Sequence, residues 1–454
     1  MADTIAAIAT GGVISAIGIV RLSGDRAIEV ADHVFRAFTG RTMAQTPDRK
    51  LAYGELLDED GSVLDICLCT VSRAPGTYTG EDTAEFQCHG SPVMLAAALR
   101  AMFAAGARQA LAGEFSKRAF LNGRMDLAQA EAVIDLIDAE TVAAAKNAAG
   151  QLNGAVSRKA DGIYSGLTDI CAHFHAVIDY PDEEIEPFEM VRYADRMADY
   201  ERTLRQLLET YDRGKVLKEG VRCAIIGKPN VGKSSLLNLL AGYDRAIVTD
   251  IAGTTRDTIE EKISLGDVVL RVIDTAGIRQ TEDTVEKLGV ARSLEAADGA
   301  DLVLAVFDGA RPFTEEDEQV LAAAEKSARR LYVVNKSDEA GWRMPEQLEG
   351  RDAVVLSAST GAGLDGLTDR IREIYRIGGQ IPVGEIITNA RHAEAISRAA
   401  DSIRGAVTAA EEGVTPDAVL TMAEDAMQAL GELTGVEIRE DITNRIFSRF
   451  CVGK

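Results

Sequence analysis

Residues 222–240 read RCAIIGKPNVGKSSLLNLL: a short apolar run, a loop holding Gly227 and Gly232, then a helical run. The spacing G-x-x-x-x-G-K-[ST] between a strand and a helix is that of a phosphate-binding loop. Its glycines let backbone N–H groups close around phosphate oxygens at a positive helix terminus. Lys233 is then placed to reach the β and γ phosphates, and Ser234 to bind Mg²⁺. The pattern around this loop alternates strands with helices. Strands are expected at 222–226, 268–274, 302–308, 331–335 and 353–356, which predicts an α/β unit with a parallel sheet.

Three companions follow in order. Asp274-Thr275-Ala276-Gly277 ends the next apolar strand, where the carboxylate would hold Mg²⁺ and Gly277 would sense the γ-phosphate. Asn335-Lys336-Ser337-Asp338 ends a later one. A carboxylate at Asp338 can accept from the guanine N1–H and exocyclic amine, and adenine would leave it unpaired. Ser357-Ala358-Ser359 would offer backbone N–H to the guanine oxygen. Between phosphate loop and DTAG lies the stretch Thr249-Asp250-Ile251-Ala252-Gly253-Thr254-Thr255, in the place of a switch loop, with Thr255 as the metal-binding hydroxyl. The expected GTP contacts are these segments together with Asn230, Val231, Gly232, Lys233, Ser234 and Ser235.

Just after DTAG the chain has Ile278, where Ras-type enzymes carry a water-orienting Gln. An aliphatic side chain cannot position water, so a polar group must come from elsewhere; Glu282, Asp283 and Glu286 follow within one loop. Charge developing between the β and γ phosphates also needs a stabilising cation. A bound monovalent ion could serve, with oxygen ligands from Asn230 and the switch-loop backbone.

Around this unit the chain has 454 residues, enough for roughly three domains at ~150 each. Hydrophobic residues are 46% and charged residues 27%, which excludes a disordered or fibrous protein. Lys plus Arg is 49 and Asp plus Glu is 72, a net −23, so bulk electrostatic attachment to RNA or an anionic membrane is not expected. No segment is net basic. With Asp3 where a basic leader region would stand, no spanning run and no paired C-x-x-C, a reduced, cytoplasmic protein without a membrane partner is expected. Cys67, Cys69 and Cys88 are expected to pack as small hydrophobes.

Residues 1–118 alternate short β-type runs with turns, interrupted by a helix over 92–105 with Ser91 as its cap. From 119 the apolar period becomes helical to 218, with one break near Tyr180-Pro181, and helices resume after Gly378-Gly379. Asp182, Glu183, Glu184 and Glu186 are read as a solvated helix start. His173-x-His175 is read as packing or surface, since that spacing does not share a helical face. Helical sequence on both sides implies that the α/β unit is inserted into a helical domain.

Beyond the phosphate loop, blocks at both ends carry a resemblance: GIVRLSG (18–24), TGEDTAEFQCHG (79–90), GEFSKRAFLNGRMDLAQAEAVIDLIDA (113–139), IDYPDEE (178–184), TDIAGTTRD (249–257), DTAGIR (274–279) and IFSRFCVGK (446–454). The whole chain resembles the tRNA modification GTPases of the MnmE (TrmE) family. The resemblance implies a multidomain α/β plus α fold: an N-terminal α+β folate-binding and dimerisation domain (1–118), a discontinuous helical domain (119–216 and 377–454), and an inserted Ras-like P-loop α/β G domain (217–376). It implies a homodimer whose G domains pair on hydrolysis, acting with the FAD protein MnmG (GidA) in a heterotetramer or larger complex. Their work is on the wobble uridine of certain tRNAs, which gains a carboxymethylaminomethyl or aminomethyl group from a 5-formyltetrahydrofolate carbon.

Carried over residue by residue, the resemblance makes Asn230, Thr249, Ile251 and Thr254 the K⁺ ligands and Glu286 the residue that positions water, beside Lys233 and Asp274. It makes Arg21, Glu85, Arg124 and Lys454 folate contacts, with Arg124 standing where relatives often have Lys. Taken alone, any of these reads first as a surface salt bridge, and Cys451 reads as either a buried structural thiol or a chemical one. Two other classes compete: a regulatory or ribosome-assembly switch, against which the N-terminal block and the FCVGK end count, and a nucleotide-binding scaffold, against which the intact Lys233, Ser234, Asp274 and Glu286 count.

Overall fold

The computed structural model describes residues 3–11, 13–180, 182, 188–243, 261–273, 297–375, 382–436, 443, 446–448 and 450–453. The chain divides into two compact units, one of residues 1–134, 156–190 and 414–454, the other of 135–155 and 191–413.

The first unit is built on strands β1 (Ile5–Ile8), β2 (Ser15–Ser23), β3 (Phe35–Ala37), β4 (Leu51–Leu57), β5 (Val63–Ser72), β6 (Thr83–Gly90) and β7 (Arg108–Gln109). They lie in the order β3-β4-β5-β6-β2-β1-β7. All neighbours are antiparallel except β1 and β7. Helices Ala27–Val34 and Pro92–Ala104 pack Val30, Leu95 and Met102 into one core with Val20, Leu22 and Phe86. Cys67, Cys69 and Cys88 sit in that same core as free thiols, as their small apolar character predicts, and burial pushes Cys69 well above the ordinary thiol range. The second of these helices starts at Pro92 with Ser91 extended before it, although the Ser91 side chain makes no capping bond.

Helix Glu114–Leu121 buries charge beside its apolar residues Phe115 and Ala119. The Arg118 guanidinium donates to the Asp3 carboxylate at 2.8 Å, to Glu81 at 3.1 Å and to Glu114 at 3.0 Å. Arg108 adds bonds to Glu114 at 2.6 and 2.8 Å. Burial acts to raise the Glu114 carboxyl, but bonds from Arg108, the Leu111 amide and Arg118 outweigh it and bring it from 4.5 down to about 2. The blocks TGEDTAEF and GEFSKRAF thus meet in one buried ionic network, which tolerates burial because each charge is paired. The chain end docks beside it: Ala112 bridges Val452, and Phe447 lies against Phe120 with ring centroids 6.2 Å apart. Cys451 is exposed there, which excludes a buried structural thiol.

The second unit carries β8 (Val221–Ile226), β9 (Glu261–Leu265), β10 (Val268–Val272), β11 (Leu302–Asp308), β12 (Arg330–Asn335) and β13 (Ala353–Val355). The order is β13-β12-β11-β8-β10-β9, parallel throughout except for β9 against β10. β11 is buried at every position because helices cover both faces of the sheet. Helices Val142–Leu152, Met190–Leu208 and Tyr211–Glu219 precede β8, and helix Ala390–Glu411 follows the sheet. The returning chain is strapped to the earlier helices. Asn147 accepts from the Gly384 and Ile386 amides at 3.1 and 3.3 Å and donates to the Ile386 carbonyl at 3.0 Å. Thr210 accepts from the Ile387 amide at 2.9 Å, and Arg404 and Arg205 both reach Glu201. These bonds are the physical form of an insertion: the segments before and after the sheet close on each other.

Several expected boundaries move. The helical stretch breaks at Asn122–Asp126, at Asp138–Thr141 and at Asn153-Gly154 as well as near Tyr180. Polar and glycine turn signals that periodicity overlooks cause these stops. Residues 183, 184 and 186 of the acidic cluster and half of 441–450 lie outside the described residues. His173 packs against Phe188 at 5.6 Å, and no group of three metal-ligating side chains occurs among the described residues.

Asn147→Ala strands two buried amides and should lower unfolding free energy by about 2–3 kcal/mol in urea titrations; an unchanged midpoint would refute the strap. Because the Glu114 carboxyl is held below its unfolded value, its contribution is complete above about pH 4.5 and fades as pH falls toward about 2. Urea midpoints measured downward from about pH 5 should therefore drop less steeply in Glu114→Gln than in the parent protein.

Candidate functional site

The phosphate loop leaves β8 and ends where helix Lys233–Tyr243 begins. Gly227 is required by close approach, since a Cβ there would stand 2.6 Å from the Val306 carbonyl oxygen. Asn230 has φ +64°, a left-handed turn that Asn tolerates better than most residues, and it is exposed at the loop's crest. Gly232, at φ +99°, would place a Cβ 2.2 Å from the Asn335 amide nitrogen. Val231 is buried beneath the loop. Lys233 arches over the loop and donates to the carbonyls of Gly227 and Lys228 at 2.8 and 2.9 Å. Ser234 and Ser235 follow in the first helical turn, so amides, ammonium and hydroxyls converge where an anion would be favoured. Lys228, by contrast, points away, to the buried Asp317 at 2.5 Å.

The base side is formed by the ends of β12 and β13. Asn335 is 2% exposed; its amide donates to the Val231 carbonyl at 2.8 Å, and its oxygen accepts from the Ala358 amide at 2.9 Å. Its side chain therefore joins phosphate loop, base loop and the 357–359 loop. Lys336 is left-handed at φ +65°. The exposed Asp338 carboxylate accepts from the Ser357 and Ser359 hydroxyls at 2.6 and 2.7 Å, and these bonds hold it below the usual carboxylate range. The Ser357 amide donates to Ala362, so among the described residues the Ser359 amide is the one of the three without a partner. Trp342 donates its indole N–H to the Asn335 carbonyl at 3.1 Å.

In the other unit Arg21 and Glu85 face each other across β2 and β6 and pair at 2.7 Å. The Arg21 guanidinium lies over the rings of Tyr78 and Phe115, 5.8 and 5.7 Å from their centroids. Tyr78 is bonded to the Ser116 hydroxyl at 2.8 Å. Arg124 reaches the same loop, donating to the Thr77 carbonyl at 3.1 Å, and the missing Cβ of Gly80 leaves room for its stem. Three of the four expected folate contacts thus gather around residues 77–80. Tyr78, Phe115 and Ser116 escaped the sequence reading; the signal was an aromatic within the TYTGED and GEFSKRAF blocks. Thr249, Asp250, Ile251, Ala252, Gly253, Thr254, Thr255, Asp274, Thr275, Ala276, Gly277, Glu286 and Lys454 lie outside the described residues.

Two family models match the chain: the GTP-binding protein TrmE N-terminus over residues 4–124, and the MnmE helical domain over 127–451. The tRNA modification GTPase MnmE of Alkaliphilus oremlandii is 41% identical over 458 residues, covering 100% of this chain and 99% of the relative. That of Geobacillus thermodenitrificans is 42% identical over 464 residues with the same coverage. The G domain of the T. maritima FeoB iron transporter is 29% identical over 34% of this chain and 98% of its own, with a TM-score of 0.26. Identity above two-fifths along the full length, and two adjoining models that together run from residue 4 to 451, leave one conclusion: the chain belongs to the MnmE (TrmE) family of tRNA modification GTPases.

Proposed function

We propose that the chain is a potassium-activated GTP hydrolase that works with an FAD-dependent partner, MnmG (GidA), on the wobble uridine of certain tRNAs. In this reading a one-carbon unit from 5-formyltetrahydrofolate contributes to a carboxymethylaminomethyl or aminomethyl group at C5. The protein acts in the cytoplasm as a homodimer within a heterotetramer or larger complex. Among the described residues no helix is long and apolar enough to cross a membrane. Residues 1–118 form the folate-binding and dimerisation domain, 217–376 the G domain, and 119–216 with 377–454 the helical domain.

The observation that carries this reading is the joined pair of loops. Asn335 fastens the Asn230–Ser234 turn to the segment bearing the open Asp338 carboxylate, so one ligand must present phosphates and a donor-rich base edge together. In the proposed mechanism Lys233 binds the β and γ phosphates, and Asp338 selects guanine. Asn230, exposed with its carboxamide at the crest, suits an alkali ion alongside Thr249, Ile251 and Thr254. Ser234 and Thr255 would hold Mg²⁺, with Asp274 near it. These ions supply positive charge around the phosphates. Glu286 orients the attacking water in place of the absent glutamine.

At the folate site the Arg21 cation, already stacked on Tyr78 and Phe115, suits an anionic tail, while Glu85 can meet a pterin's donor edge. Arg124 and Lys454 would complete that site.

GTP hydrolysis should run at least about tenfold faster in KCl than in NaCl at equal ionic strength; equal rates would remove the alkali ion from the mechanism. Asp338→Asn should weaken GTP binding by about a hundredfold while ATP binding changes little, read by calorimetry. Undiminished preference for guanine would withdraw the base-reading role.

A further inference from the structure

The base loop contains a buried ion pair that fastens its lysine to the end of the sheet. β11 ends at Asp308, whose side chain is 2% exposed, and the Lys336 ammonium lies 2.7 Å from its Oδ2. The Asp308 Oδ1 accepts from the Ala310 amide at 2.9 Å. Arg311 comes only to 3.7 Å. Asp308 and Asn335 are register partners across β11 and β12, and the Gly309 amide donates to the Asn335 carbonyl at 3.1 Å. The strand end is therefore a rigid platform beneath the base loop.

Lys336 stands two positions before Asp338. An ammonium on a flexible four-carbon stem can reach a carboxylate at that distance along the chain, and a charge-assisted bond between them would occupy the lone pairs that guanine needs. The structure places the ammonium elsewhere, on Asp308 at 2.7 Å and no nearer than 3.7 Å to Glu339. The left-handed backbone at Lys336 accompanies this turn toward β11. Asp338 meanwhile accepts two hydroxyl bonds, from Ser357 and Ser359, which leave half of its acceptor sites open.

We propose that Asp308 is a positioning residue for guanine recognition: it sequesters the Lys336 ammonium and so keeps Asp338 open to the N1–H and amine of the base. This deepens the proposed function and rests on Asp338 being the base reader.

The test compares calorimetric affinities of the full chain for GDP and for IDP, which retains the N1–H and carbonyl but lacks the exocyclic amine. Asp308→Asn keeps shape and removes charge. GDP affinity should fall about tenfold in D308N and IDP affinity less, so the GDP/IDP ratio narrows. Adding Lys336→Met to D308N removes the liberated ammonium and should return the ratio toward that of the parent protein. A general loosening of the loop would not be repaired by a second substitution, so a ratio that stays narrowed in the double variant overturns the proposal. An unaltered ratio in D308N overturns it as well. If the parent protein shows no preference for GDP over IDP, the base-reading role of Asp338 fails first and this inference falls with it. Should D308N not fold, Asp308→Ser takes its place in the same comparison, alone and with Lys336→Met: a narrowed ratio that the second substitution restores supports the sequestration, and an unaltered or unrestored ratio refutes it.

Discussion

Asn335 places one primary amide, 2% exposed, between loops that lie 104 and 23 residues away in sequence. Buried amides are costly unless satisfied, and this one is satisfied only when the phosphate loop and the 357–359 loop both stand in place. The constraint runs in both directions. Gly232 can carry no side chain, because the position a Cβ would take belongs to the Asn335 nitrogen. Asn230 is turned left-handed one residue before the carbonyl that Asn335 holds. The phosphate loop and the loops at 335–338 and 357–359 are consequently one structure, not three adjacent ones.

Charge is handled in the two units by the same rule. In the first, Arg118 satisfies Asp3, Glu81 and Glu114 at once; in the second, Asp317 takes the Lys228 ammonium from the phosphate loop. A net charge of −23 is thus compatible with binding a polyanion, since the cations near the phosphate loop are assigned locally. Lys228 is committed to Asp317, and Lys233 is left to face the loop's interior.

The parallel sheet was legible because its strands are continuous apolar runs: 302–308 matches β11 residue for residue, and 222–226 falls one short of β8. β4 was not legible. Its buried positions are Ala52, Gly54 and Leu56 while Leu51 and Tyr53 are exposed, so over its first four residues hydropathy alternates against burial. Gly54 is there because a Cβ would stand 2.3 Å from the Arg36 carbonyl, a tertiary reason with no trace in local pattern. β9, an edge strand that opens Glu-Lys, carries too short an alternation to be recognised. Helix Ala27–Val34 begins without a capping side chain, which removes the usual start signal. The places of Gly232, Lys233 and Asp338 in the loops after β8 and β12 were legible because a motif fixes them along the chain. Tyr78, Phe115 and Asp308 become visible only when distant strands and loops are brought together.

Trp342 is the single tryptophan of the chain, and its indole N–H rests on the Asn335 carbonyl. Near-ultraviolet emission excited selectively from that ring therefore originates beside the base loop and nowhere else. On the proposed function that ring is a built-in optical probe of guanine occupancy, by which loading and release would be timed in a stopped-flow cuvette with unlabelled nucleotide.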